Sequence, residues 1–234
     1  MSTLSNSNIL ILIIMSILFL SIYGQNEKQQ DDNLCPKINS VLCVKKVLSE
    51  IVNAAEEIND IANKIEQNIL KRERELNSIT LDNHINYKTQ QIKSNLPKSD
   101  YYDQFMKIKS NINKTDFIHL IQEENYAFSY LYKSIYNILK KGDIFGASTN
   151  ELFKKILNNL QENILCNYRS ILHVYSQSWL SVDEITGIEI LTTRKRHAPS
   201  ISYHTDSMII IRLLHKWIKN IKNIVANIDS KYVR

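Results

Sequence analysis

Glycine and proline are nearly missing from this chain: four and three residues in 234. A β-rich fold needs such residues at its reversals, so their scarcity argues for helices instead. It also leaves no Gly/Ser/Pro-rich linker to separate two domains. Catalytic signatures are missing too. There is no G-x-S-x-G, no P-loop, no G-x-G-x-x-G and no H-E-x-x-H, and no local pattern selects a nucleophile. We therefore expect no enzyme, no cofactor and no metal. His119 and Glu123, four apart, are a candidate metal pair, but a lone i, i+4 pair is more often a surface contact.

No Lys or Arg precedes the apolar run Ile9–Tyr23, yet the run itself carries no charge. It is shorter than the roughly 20 residues that span a bilayer, and it suits the apolar core of a secretory signal. Small Gly24 makes a cleavage site. The expectation is a signal peptide over 1–24, with an uncleaved anchor as the alternative, and one extracellular domain over 25–234. Residues 191–234 hold nine Lys/Arg against two Asp/Glu, whereas 25–190 hold twenty against twenty-two. That basic end suits an acidic partner or a sulfated glycan, or is simply a solvated helix face. Nothing points to nucleic acid.

Four long helices can be read from the spacing. Val41, Val44, Leu48, Ile51, Ala55, Ile58, Ala62, Ile65 and Ile69 form one 3-4 stripe, which predicts a first helix over about 37–77. From Ile79 to Thr115 the period is lost and a loop is expected, with a short helix from Ser99 carrying Tyr102, Phe105 and Met106. A second helix follows over about 116–141, stopped by Gly142. Ser148-Thr149-Asn150-Glu151 reads as a capping box that opens a third helix over about 149–179. The fourth runs over about 205–229, with Ile211, Leu214, Ile218, Ile221, Val225 and Ile228 inward. The connections are long, short, long: roughly 37, 6 and 25 residues. Loops that long are uncommon inside a compact domain, and they are what an up-up-down-down four-helix bundle with two crossovers requires.

This pattern resembles the long-chain four-helix cytokines, above all the interleukin-6, leukaemia inhibitory factor and ciliary neurotrophic factor class and the insect unpaired ligands. Leu213-Leu214-His215-Lys216-Trp217-Ile218 is similar to the apolar-aromatic last helix of that class. A Phe-x-x-Lys receptor motif at the start of that helix is lacking. The resemblance implies a secreted ligand that binds a cell-surface cytokine-type receptor, meets membranes only through it and starts kinase-coupled signalling. It also implies receptor-facing sides: Glu50, Asn53, Glu57 and Asp60 on the first helix with Lys155, Glu162 and Arg169 on the third, and Arg212, Lys216 and Lys219 on the fourth. The last set holds three cations and no anion.

Three cysteines in a secreted chain leave one over. Cys43 and Cys166 both read as outward on their helices, and Cys35 and Cys43 on one helix would stand about 12 Å apart, beyond disulfide reach. Cys35–Cys166 is therefore favoured, with Cys43–Cys166 or three reduced thiols as alternatives. Some leukaemia inhibitory factor-like cytokines resemble this in tying the N-terminal segment to the third helix. Asn113-Lys114-Thr115 is the sole glycosylation sequon, and Lys195-Arg196 is a dibasic processing site or a solvated loop. Trp179 and Trp217 read as packing residues before hot spots. The competing reading is a different secreted bundle: an enzyme inhibitor, a carrier, or a parasite or salivary effector. A carrier would need an internal apolar cavity, whereas a cytokine bundle would be solid.

Overall fold

A computed structural model of the chain describes residues 43–74, 79–109, 111–141, 145–189 and 199–231. The expected signal segment, Cys35, Val41, Gly142 and Lys195-Arg196 lie outside them. Every regular element among the described residues is helical: α1 Val44–Arg74, α2 Ile79–Ile92, α3 Asp100–Lys107, α4 Lys114–Leu139, α5 Ala147–Asn159, a π-helical turn Leu160–Leu165, α6 Cys166–Val174, α7 Pro199–Lys231 and two short 3-10 turns, Lys93–Asn95 and Val182–Glu184. None of these helices is long and apolar enough to cross a membrane.

The stripe read from the sequence is the buried face of α1. Leu48, Ile51, Ala55, Ile58, Ala62, Ile65 and Ile69 are all fully buried. They pack on α5 and the π-turn on one side and on α7 on the other. α4 packs on the same two partners, and α1 and α4 share no comparable packing. Side-chain registers set the directions. His215 meets Asn59 at 2.8 Å and Glu66 at 3.6 Å, while Lys222 meets Glu56 at 2.8 Å, so α7 runs against α1. Phe117 packs edge-on against Tyr175, Phe128 stacks on Tyr168, and the Tyr132 hydroxyl donates to Gln161 at 3.0 Å. The α5–α6 rod therefore runs against α4.

Part of the expected first loop is helix. α2 carries few apolar residues, but Leu81 and Ile85, four apart, are both buried. Two ion pairs hold it to α7: Lys88 with Asp206, and Arg212 with Asp82 at 2.9 Å. Asp206 is fully buried. α3 is the short helix expected after Ser99. Ser99 makes no side-chain cap bond. The Glu123 carboxylate of α4 caps instead, accepting from the Tyr101 and Tyr102 amides at 2.9 Å each. That bond satisfies donors that a helix start otherwise leaves open.

The third rod departs from expectation in three ways. The capping box is not used: α5 begins at Ala147 behind Gly146, which lies at φ +82° and makes no side-chain cap. Thr149 is buried instead and accepts from Asn68 at 3.4 Å. The π-turn then inserts an extra residue, which rotates everything after it by about 100°. Finally, the rod ends at Val174, not near Trp179. Ser176 sits at φ +54°, its amide bonds to His173 O at 2.9 Å, and the Gln177 amide bonds to Leu172 O at 3.0 Å. This double bond is the Schellman stop.

Beyond it, the segment to Glu189 is fastened to the outside of α4. The Ile188 amide donates to Ser134 Oγ at 2.8 Å, and Asn137 Nδ2 donates to the carbonyls of Thr186 and Ile188 at 2.9 and 3.2 Å. Val182, Ile185 and Ile188 are buried beneath it. Gly187 makes the close approach: it lies at φ +65°, and a Cβ there would sit 2.8 Å from Ser134 N. Gly187→Ala is thus both strained and blocked. It should destabilise the protein by about 1–3 kcal/mol in urea unfolding and speed hydrogen exchange at the Ile188 amide.

Candidate functional site

The three faces expected to meet a receptor fare differently. On α1, Glu50, Asn53, Glu57 and Asp60 are exposed, as are Lys155 on α5 and Glu162 in the π-turn. Since α1 packs directly on α5 and the π-turn, these residues belong to adjoining rods. Arg169 does not join them. It is only 4 % exposed, and its guanidinium lies 6.0 Å from the centre of the Trp179 ring. Cys166, expected to face outward, is also buried. For Arg169 the cause is that counting 3.6 residues per turn across Leu160–Leu165 misses the added residue of the π-turn. Cys43 is exposed and free, which removes the Cys43–Cys166 alternative.

On α7, Arg212, Lys216 and Lys219 are exposed, but the face is not free of anions. Asp82 of α2 pairs with Arg212, and Glu56 of α1 pairs with Lys222. In the sequence, the loss of helical period after Ile79 places Asp82 in a loop, and nothing local brings it beside Arg212. Lys216 Nζ lies 5.3 Å from the ring centre of Trp217, which is itself fully buried. Asn113 is exposed and caps α4, accepting from the Asp116 amide at 2.8 Å.

A groove that no local pattern announced runs along the outside of α4. Gln122, Tyr126 and Tyr130, four apart, share one helix face and form its floor. Tyr101 of α3 and the segment Ser94–Lys98 bound it on one side, and Leu180 to Thr186 on the other. Its volume is about 710 Å³. His119 stacks on Tyr101 with ring centres 4.9 Å apart, and its Nδ1 lies 3.2 Å from Gln122 Oε1. Beside it is a recess of about 230 Å³ that shares Gln122, Tyr126, Leu180 and Ile185 and adds Asn125, Ser178 and Trp179. Asn125 is 3 % exposed, and its Oδ1 has no hydrogen-bond partner. Helical placement of Tyr126 and Tyr130 was readable; the two walls come from distant segments and were not. Of the His119–Glu123 pair, the Glu123 carboxylate is engaged by the α3 amides. No group of three or more metal-ligating side chains occurs among the described residues.

Inside the bundle, Glu124 of α4 is fully buried, and neither carboxyl oxygen has a hydrogen-bond partner. Burial, and then the neighbouring Glu123 charge, hold its carboxyl well above the usual carboxylate range, while Lys216 pulls weakly the other way. Tyr168 of α6 faces it electrostatically: burial and then the Glu124 charge push the phenol well above its ordinary value. The arrangement favours a neutral carboxylic acid in the core, since an isolated buried carboxylate is costly.

The chain matches no protein-family model, no curated protein and no solved structure.

The raised carboxyl of Glu124 fixes a pH dependence. Above pH 4.5, the ordinary value, the folded chain retains a proton that the unfolded chain has lost. The stability this contributes is complete below that pH and is lost as pH rises towards the raised value. Glu124→Gln keeps the shape and removes the charge. We expect it to unfold at higher urea than the parent at pH 8, by about 1–3 kcal/mol, and to lose most of the parent's decline between pH 5 and 8. Glu123 and Asp206, also raised by burial, should leave a residual slope of the same sign.

Proposed function

We propose that this chain is a secreted, receptor-binding ligand with the architecture of a long-chain four-helix cytokine, acting through kinase-coupled receptors on the cell surface. One observation carries the reading. α1 and α4 lie across the bundle from each other, and each packs on both the α5–α6 rod and α7. Long connections follow α1 and α6, and a short one follows α4. Asn68 near the end of α1 donates to Thr149 at the start of α5, and with the registers described above this supports an up-up-down-down bundle with two crossovers. The apolar interior is filled by side chains such as Trp217, Phe117, Phe128 and Tyr168, as a ligand that works through its outer faces needs.

Other features fit the same reading. The N-terminal apolar run supplies a secretory signal, and Asn113 is an exposed acceptor for a glycan. Glycosylation would use Nδ2 and leave the capping Oδ1 in place. A Cys35–Cys166 disulfide belongs to the proposal: Cys43 is exposed and free, which leaves Cys35 as the partner for the buried Cys166. The binding surface is taken to be the α1–α5 faces with Glu50, Asn53, Glu57, Asp60, Lys155 and Glu162, and the α7 face with Lys216 and Lys219. Arg212 is assigned to holding α2, because it is engaged with Asp82.

The test is secretion followed by signalling. The full chain should appear in the medium of expressing cells, and that medium should raise receptor-associated tyrosine phosphorylation in responsive cells of the source tissue. Lys216→Glu with Lys219→Glu should leave the circular dichroism unchanged and slow association by roughly tenfold at low salt, because exposed cations mainly steer encounter. Retention in the cell, or secreted protein that triggers no phosphorylation in any such cell, would contradict the reading.

A further inference from the structure

The recess beside α4 is lined by side chains that carry no charge at neutral pH. Gln122, Asn125, Tyr126, Ser178 and Trp179 line it together with two aliphatic residues, Leu180 and Ile185, and no carboxylate, histidine, lysine or arginine lies among them. We propose that it binds one ring of a neutral oligosaccharide, with the adjoining 710 Å³ groove taking the neighbouring sugars.

Asn125 Oδ1 identifies the kind of group required. It is buried without a partner, and an acceptor left so costs about 1–3 kcal/mol. The occupant must therefore bring an O–H or N–H donor to the inner end. Gln122 supplies the complement: its carbonyl is engaged by His119, which leaves its N–H groups as the available donors. Ser178 adds a hydroxyl that both donates and accepts. These groups suit a ring edge bearing alternating hydroxyl donors and acceptors. The aromatic residues, Tyr126 and Trp179, suit the C–H face of such a ring.

The same residues exclude other occupants. An anionic or sulfated sugar finds no Lys or Arg side chain lining the recess; Lys98 stands only in the outer groove, with Glu184 lining it as well. A cationic ligand is disfavoured at Trp179, because the Arg169 guanidinium already lies over that ring and draws on its quadrupole. A purely apolar ligand or a proline ring would bring no donor and leave Asn125 unpaired. The site is independent of the signalling reading, and either one stands if the other fails.

The experiment is a titration of the full chain with a panel of neutral trisaccharides of glucose, mannose, galactose and N-acetylglucosamine. A heparin octasaccharide and a proline-rich decapeptide form the comparison arms. Saturation-transfer NMR reads the ligand, and tryptophan fluorescence reads Trp179, since Trp217 is fully buried. At least one neutral sugar should bind with a Kd below about 1 mM and change the fluorescence. Asn125→Leu should weaken it by about tenfold, the worth of one buried hydrogen bond. Tyr126→Ala, at an exposed position, serves if Asn125→Leu fails to fold, and should also weaken binding. The proposal falls if no neutral sugar binds at about 10 mM, where a ligand of the expected affinity would be saturating. It falls equally if only heparin or the peptide binds, or if sugar binding survives a folded form of either substitution.

Discussion

The stretch His204–Ile211 of α7 is buried on every side, and much of the fold follows from that. A helix apolar on one stripe needs one neighbour; a helix covered all round needs several. α1, α4, α2 and α3 all pack on α7, and Phe145 stacks on His204 with ring centres 5.4 Å apart. The covered stretch is not purely apolar, for Thr205, Asp206 and Ser207 lie in it. Asp206 is made tolerable by Lys88 of α2, and removing one member of a buried pair costs about 3–5 kcal/mol. α2 is thus part of the core's electrostatics as well as a connection between rods.

From that constraint the layout unfolds. α7 lies against α1 and α4 at once, so those two rods are kept apart and the α5–α6 rod fills the opposite corner. The segment after α6 cannot enter the filled interior and runs along α4 instead, fixed by Ser134, Asn137 and Gly187. Its course over Gln122 and Tyr126 creates the recess at Asn125. α3, capped by Glu123, forms the facing side through Tyr101. The groove is therefore a by-product of how two connections are pinned to one helix.

Much of this was legible in the residues. α1, α4 and α7 were readable because their buried positions repeat every three or four residues over long stretches. α2 was not, because its stability lies in Lys88 and Asp82 meeting Asp206 and Arg212, partners more than a hundred positions away. Arg169 faces inward against expectation because nothing local in Leu160–Leu165 signals a π-turn. The Ser148–Glu151 capping signal was real as a pattern but lost to Gly146 and to burial of Thr149. The groove was invisible because four separated segments line it, and no stripe within any one of them marks its deep end.

The central claim is that α1 and α4 point the same way, both opposed to α7. Spin labels test it directly. With Cys43 changed to Ser, one protein carries labels at Lys71→Cys and Lys140→Cys, near the ends of α1 and α4. A second carries them at Lys71→Cys and Lys114→Cys, the latter at the start of α4. All three lysines are exposed. α4 is 26 residues long, about 39 Å at the standard rise per residue, so the two distances should differ by a large part of that length. Pulsed electron resonance should find the 71–140 distance much the shorter. A shorter 71–114 distance would mean that α1 and α4 run in opposite directions, and the account would be wrong.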